Sequence, residues 1–298
     1  MPELPEVETL RQDLAKEVVG KKIKAVAVSN GRSVRRHKSA KAFRDLVEGR
    51  SIRSVGRVGK YLLVGLDDGT TLVIHLGMSG QLHRARSAKE PKIKHTHVTF
   101  TFTQGGELWF IDPRTFGELF VSTPPPAPEQ ALIPVTFTVG PEGAALRRQI
   151  PELSELGFDP VEDLLSWERF AVVLRQRSVQ LKALLMDQHV VAGIGNIYSD
   201  EILFAAGLRY DRSSDQLSTT EVRRLYRSIV EILAEAIKHR GSSLSDEQYR
   251  DLEGNLGKFQ ELHEVYDREG LACRRCRSQI VKAKFQGRST FYCEHCQI

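Results

Sequence analysis

Cysteine is scarce: the 298 residues contain four, and none precedes Cys273. A disulfide framework for the body of the protein is therefore excluded. Long hydrophobic runs are also lacking, with nothing near the ~18 consecutive apolar residues of a membrane span. The opening MPELPEVETL carries acids where a secretory signal needs a basic start and an apolar stretch. Neither a membrane span nor a signal peptide is expected, and a cytoplasmic location is. There is no internal repeat, which sets aside solenoid architectures.

What remains is the composition of a globular protein with a sizeable core: 41% hydrophobic and 27% charged residues. The length suits two domains of ordinary size. The net charge is +5 and the pI about 9.0, which suits an anionic partner, most simply nucleic acid, and equally an ordinary basic enzyme.

Along the chain the texture changes once. Val7, Leu10 and Leu14 form a helical stripe. Runs rich in β-formers follow at 23–28, 51–58, 61–66, 70–76, 96–102, 108–111 and 118–121, with hairpin breaks at Asp67-Asp68-Gly69 and Gln104-Gly105-Gly106 and a short helix at 41–47. That spacing predicts a sandwich or barrel over 1–122. A Pro-rich stretch, 123–150, reads as a linker or insertion. Residues 151–262 read as helical. One helix is expected from Ser166 or Trp167 to near Gln188, another from near Asn196, and a third over 218–238 behind the capping signal Ser-Thr-Thr-Glu. The polar, Gly-rich residues 241–262 read as a mobile loop. The fold class expected is α+β.

The cysteines lie together. Cys273-x2-Cys276 and Cys293-x2-Cys296 are sixteen residues apart, the spacing of two zinc knuckles. Val281, Ala283 and Phe285 alternate with Lys282 and Lys284 ahead of a Gln286-Gly287 turn, predicting a β-hairpin with Arg288 near its tip. Four thiolates leave zinc no open position, so one structural ion is expected and the chemistry must lie elsewhere. Residues 268–298 carry seven Arg or Lys against Glu269 and Glu294, a plausible phosphate-binding surface.

Pro2 follows the initiator methionine. Once the methionine is removed, the chain begins with a secondary amine, which can attack a sugar C1′ and form an iminium. An α-amino group titrates near about 8 and needs only a small downward shift to be neutral at pH 7. Desolvation or the positive end of the following helix could provide it. Glu3 adjoins the amine and Glu6 lies three residues on, so a carboxyl is available for proton transfer. The same PELPEVE pattern also serves as an ordinary helix start.

Read together, MPELPEVETL, GRVGKYLLV at 56–64, HLGMSGQL at 75–82, DPRTFGELF at 112–120, LLMDQHVVAGIGNIYSDEILFAAGL at 184–208 and GRSTFYCEHCQ at 287–297 resemble the formamidopyrimidine-DNA glycosylases. The resemblance spans nearly the whole chain, in order. It implies a β-sandwich N-terminal domain (1–122), a helix–two-turn–helix domain with a lesion-capping loop (151–262) and a zinc finger (263–298). It also implies duplex DNA with oxidised or abasic sites as partner, a flipped lesion, base excision and β,δ-elimination by a monomer located at the nucleoid. Pro2 would be the nucleophile, Glu3 the general acid/base, Glu6 a supporting acid, and Lys60 and Arg288 phosphate grips close to the lesion. Met78, Arg114 and Phe116 would fill the void left by the flipped base. His75, Lys182 and the helix-start residues Gly193, Gly195 and Asn196 would contact phosphate.

Thr115 stands where the family often has a second Arg, and Lys258 where an aromatic is common. One phosphate contact and the lesion preference are thereby open. Two other readings are an endonuclease VIII-like enzyme for oxidised pyrimidines and a non-catalytic zinc protein that binds DNA. The first usually has Gly at the position of Leu4 and lacks the Met78 and Arg114/Phe116 pattern. The second does not account for Pro2 and Glu3 together.

Overall fold

A computed structural model describes residues 1–87, 89–122, 147, 150–163 and 165–298. Apart from Arg147 and Ile150, the Pro-rich stretch 123–150 lies outside the described residues. The N-terminal part opens with helix α1 (Leu4–Val18), then β1 (Ile23–Val28), α2 (Ala40–Val47) and seven strands: β2 (Ile52–Val58), β3 (Tyr61–Leu66), β4 (Thr71–His75), β5 (Gln81–Ala85), β6 (Thr96–Phe102), β7 (Glu107–Ile111) and β8 (Glu118–Ser122). They form two antiparallel four-stranded sheets in the orders β1-β6-β7-β5 and β2-β3-β4-β8. Val26, Phe100, Phe110 and Leu82 from the first sheet share one core with Val64, Leu72, Ile74 and Leu119 from the second. The stripe Val7, Leu10 and Leu14 of α1 joins the same core.

Strand β5 has no counterpart among the sequence expectations. Its residues, Gln-Leu-His-Arg-Ala, bury only Leu82 and Ala85, and its pairing with β7 rather than its own composition makes it a strand.

The C-terminal half contains α3 (Pro151–Ser154), α4 (Trp167–Arg175), α5 (Leu181–Met186), α6 (Asn196–Ala206), α7 (Thr219–Lys238) and the hairpin β9 (Val281–Phe285) and β10 (Arg288–Tyr292). The single helix expected to near Gln188 is instead two. Between them the chain is drawn out to pair with 213–214: Gln180 bridges Ser213, and the Ser214 amide donates to the Val179 carbonyl at 2.9 Å. No Gly or Pro marks that break. Helix α7 begins at Ser218 with the expected reciprocal cap to Glu221.

The expectation of a mobile loop over 241–262 is corrected. Tyr249 and Leu252 sit in the N-terminal core and Phe259 in the helical one. Arg84 of β5 donates its amide to the Leu252 carbonyl at 3.0 Å, and Arg240 bridges Asp13 of α1 and Asp251. Polar composition here reflects a segment stitched to both halves by hydrogen bonds.

The two halves are also joined by ionic and apolar contacts. Leu4 of α1 belongs to the helical core, beside Ile194 and Tyr198. Arg57 of β2 is fully buried and pairs with Asp159 at 2.5 Å and Glu8 at 3.0 Å. Asp159 also accepts the Gly59 amide at 2.7 Å. Removing one partner of a buried pair strands the other charge. Asp159→Ala is expected to cost about 3–5 kcal/mol by urea denaturation. A loss below ~1 kcal/mol, the level of a surface pair, would show the bridge to be dispensable.

Candidate active site and zinc centre

The reactive end of the chain is pinned by its own helix and by α6. Glu3 precedes α1, and its amide donates to the Glu6 carboxylate at 2.8 Å. The Glu3 carboxylate, 2% exposed at the residue level, accepts the amides of Gly195 at 2.7 Å and Ile197 at 2.9 Å, with Tyr198 at 3.4 Å. These are the free amides of a helix N-terminus, where an anion is favoured. The carboxylate takes amides at the helix start that had been expected to meet phosphate. The glycines serve the same approach. A Cβ on Gly195 would lie 2.5 Å from the Glu3 carboxyl carbon, and one on Gly193, at φ +98°, would lie 2.6 Å from Leu4 Cβ. They make room for α1. Pro2 is buried directly ahead of this anchor.

Glu6 is wholly enclosed. Its carboxyl accepts from the Tyr198 hydroxyl at 2.5 Å and the Ser242 amide at 2.8 Å. Burial first, and the neighbouring Glu3 second, push its pKa to about 7 against those hydrogen bonds. Lys60, between β2 and β3, is buried and donates to the Ile194 carbonyl at 3.1 Å. Desolvation lowers its pKa most, Arg288 lowers it further, and Glu3 and Glu6 oppose. Lys60 and Arg288 therefore act electrostatically on the same site as the two carboxyls.

The finger is fixed to α6 by buried polar contacts that the sequence reading missed. Asp200 accepts from the Thr290 hydroxyl at 2.7 Å and the Phe291 amide at 2.9 Å. Lys182 of α5 also points at Asp200, at 2.7 Å, with no side-chain exposure. Its ammonium, expected to meet phosphate, is paired here with a buried carboxylate. Glu201 takes the amides of Glu264, Val265 and Tyr266 at 2.9, 3.0 and 2.8 Å, and burial raises its pKa to about 7. The Asn196 amide donates to the Ser289 carbonyl at 3.0 Å, so its nitrogen holds the finger beside Arg288. Successive acidic residues on one helix, Asp200 and Glu201, were the available signal.

The four cysteine sulfurs lie within 4.8 Å of one another. The Cys273–Cys296 and Cys276–Cys293 separations are 3.9 and 3.4 Å, near the ~3.8 Å that tetrahedral Zn–S bonds of about 2.3 Å impose. The donors fit one structural zinc ion. Phe204, Val265, Ile280 and Phe291 pack around Cys273 and Cys293. Chelating zinc is expected to abolish specific DNA binding and to unfold the hairpin, seen as lost protection of the β9–β10 amides in hydrogen exchange. Retained protection after verified metal loss would contradict this.

Met78 and Phe116 are 39% and 44% exposed, and the Arg114 guanidinium lies 5.1 Å from the Phe116 ring centre. Two adjoining loops carry them. Asp112, fully buried, holds both: it accepts from the Ser79 hydroxyl at 2.6 Å, the Arg114 amide at 3.2 Å and the Gly117 amide at 2.7 Å. His97 contacts the Asp112 carbonyl at 2.8 Å. An Asp before a Pro is a turn signal, but nothing in the sequence says that it ties two loops together. Thr115 adopts φ +56°, unusual for a β-branched residue. Arg32 donates to its carbonyl at 3.1 Å and Arg35 to that of Gly117 at 2.9 Å. His75 stacks on Tyr61 at 4.6 Å. Burial pushes its pKa down to about 4, so at neutral pH it offers a neutral hydrogen bond and no charge.

Comparisons with known proteins agree over the whole chain. Residues 1–119 match the formamidopyrimidine-DNA glycosylase N-terminal domain, 156–248 its H2TH domain, and 270–298 the zinc finger found in FPG and IleRS. The formamidopyrimidine-DNA glycosylase of Pelotomaculum thermopropionicum is 39% identical, covering 100% of this chain and 99% of that protein. That of Heliobacterium modesticaldum is 42% identical, with both chains fully covered. The MutM (Fpg) crystal structure from Thermus thermophilus superposes with a TM-score of 0.81 at 38% identity, covering 99% of this chain and 98% of that one. A Lactococcus lactis Fpg complexed with N7-benzyl-Fapy-dG DNA gives 0.84 at 33% identity, covering 99% of each chain. With matched segments in the same order and over the same length, this chain belongs to the formamidopyrimidine-DNA glycosylase family.

Proposed function

We propose that this chain is a DNA glycosylase and AP lyase of base excision repair that removes oxidised purines, 8-oxoguanine and formamidopyrimidines, from duplex DNA. The observation that carries the reading is the burial of the chain's first residues against α6, with Glu3 held by helix amides and Glu6 beside it. After methionine removal the Pro2 nitrogen has a lone pair and Glu3 is its neighbour. The lone pair attacks C1′ of the flipped nucleotide, the glycosidic bond breaks with its electrons leaving on the base, the base takes up the proton that the amine gives up, and an iminium forms as the sugar ring opens. Glu3 delivers a proton to the opening sugar oxygen and moves protons afterwards. Loss of the C2′ proton expels the 3′ phosphate, and a second elimination expels the 5′ phosphate.

Lys60 and Arg288 supply positive charge at the lesion's phosphates. Met78 and Phe116 wedge into the vacated stack and Arg114 hydrogen-bonds the orphaned base. Arg32 and Arg35, seated on the Thr115–Gly117 backbone, offer charge where the second Arg is missing. The protein acts as a monomer in the cytoplasm, at the nucleoid, in units 1–122, 151–262 and 263–298. Among the described residues no helix is long and apolar enough to cross a membrane.

Oxidised pyrimidines are the second reading, because one Lactococcus lactis Fpg structure holds DNA with an oxidised pyrimidine. Single-turnover incision of matched 8-oxoguanine:cytosine and thymine-glycol duplexes separates the two. Faster cutting of 8-oxoguanine is expected; faster cutting of thymine glycol would reverse the assignment.

A further inference from the structure

Met78 stands at the apex of a turn that the fold displays to solvent. The turn runs from Leu76 to Gly80 and is closed by the Gly80 amide, which donates to the Leu76 carbonyl at 2.8 Å. Both flanks are packed tight. Gly77 adopts φ +61°, and a Cβ on it would lie 2.6 Å from the Gly117 nitrogen; one on Gly80 would run into the Leu76 carbonyl oxygen. Leu76 sits in the sandwich core, and the buried Ser79 donates its hydroxyl to the buried Asp112 at 2.6 Å. The same Asp112 holds the Phe116 loop through the Gly117 amide at 2.7 Å. With its neighbours pinned, the Met78 side chain is left 39% exposed.

The chain has three methionines. Met1 is gone once the Pro2 amine is free, and Met186 on α5 is half-buried. Met78 therefore carries the thioether most open to a small oxidant in the mature chain. Oxidation turns a flexible apolar side chain into a polar one. A lone pair on sulfur attacks one oxygen of hydrogen peroxide, the O–O bond breaks, and the second oxygen leaves, takes the proton of the first and departs as water. Sulfur loses two electrons and the peroxide gains them. The substrates of the proposed reaction are themselves products of oxidation, so the protein works where such oxidants are present.

We propose that Met78 is a reversible oxidation site: a peroxide converts its thioether to the sulfoxide, which slows base excision, and a methionine sulfoxide reductase restores it. The inference rests on the reading of Met78 as a wedge in the vacated stack. A sulfoxide pushed between bases loses its water without gaining a partner, the cost of any unpaired polar group. Lys60, Arg288 and the finger keep their chemistry, so affinity for undamaged duplex should hold while excision falls.

The test treats full-length, zinc-loaded protein with hydrogen peroxide, maps sulfoxides by mass spectrometry of the digested chain, and follows single-turnover base release from an 8-oxoguanine:cytosine duplex. The rate should fall by about tenfold or more as Met78 sulfoxide accumulates, the weight of burying one unpartnered polar group. Methionine sulfoxide reductases A and B, one for each epimer, should return it. Met78→Leu keeps an apolar wedge without sulfur; whatever its untreated rate, peroxide should leave that rate unchanged. An equal fractional loss in Met78→Leu would place the damage at Met186 or the zinc thiolates and overturn the proposal. So would a full rate in protein whose Met78 is wholly sulfoxide, or a lost rate that the reductases do not return. If Met78→Leu releases base too slowly to follow, the reductase arm decides alone. The wedge reading has a separate check: Met78→Ala that excises at the wild-type rate without peroxide would sink it, whatever the oxidation shows.

Discussion

Glu3→Gln is expected to lower single-turnover excision of 8-oxoguanine by about 10³-fold, within the range that general acid–base groups contribute, while duplex binding changes little. The variant loses its acid, and it also loses its fit. Both carboxylate oxygens accept amides of α6, Gly195 on one side and Ile197 on the other. A glutamine must turn its NH2 toward one of those donors. Leaving a buried donor unmet costs about 1–3 kcal/mol, so the thermal midpoint should fall as well. The two effects separate on DNA that already contains an abasic site. There no base has to leave, and borohydride trapping in Glu3→Gln should be reduced far less than base release. Equal losses on both substrates would mean that Glu3 only holds the N-terminus in place. Full excision activity would remove Glu3 from the mechanism.

The second large effect concerns the amine itself. Protein purified with an uncleaved extension ahead of Met1 is expected to form no borohydride adduct and to lose strand cleavage by more than ~10³-fold, a covalent route being closed. With a residue before it, the Pro2 nitrogen is a tertiary amide with neither a proton nor a usable lone pair. Met1 is 46% exposed whereas Pro2 is buried, so an extension can leave outward. DNA binding through Arg288, Lys60 and the finger should survive. Cleaving the extension and then Met1 should restore trapping in the same sample. Trapping at the wild-type rate with the extension still in place would show that another amine attacks.

Much of this was legible in the sequence because several signals were local. The CxxC pairs, the Gln286-Gly287 turn and the Ser218 capping box each lie within one short segment, and each formed where expected. The sandwich strands were rich enough in β-formers to be found, save β5, whose Gln-Leu-His-Arg-Ala is not. What was not legible is what depends on long-range pairing. Lys182 looks like any cation on a helix until Asp200 is folded against it. Gly193 and Gly195 look like a phosphate turn until Leu4 and Glu3 arrive from the other end of the chain. The 241–262 segment is polar because its partners are hydrogen-bonding groups on α1 and β5. Asp112, Tyr198 and Ser242 carry no motif at all; their roles exist only through contacts across the fold.

The central claim is that the sugar is attacked by the chain's own N-terminal nitrogen. Lys60 is the physical competitor, since it is buried in the same site and its pKa is lowered by desolvation. Reductive trapping on an 8-oxoguanine:cytosine duplex, followed by digestion and mass spectrometry of the cross-linked peptide, distinguishes them. The account predicts the sugar remnant on Pro2 of a chain that has lost Met1. A remnant on the side chain of Lys60, or on any other lysine, would contradict it.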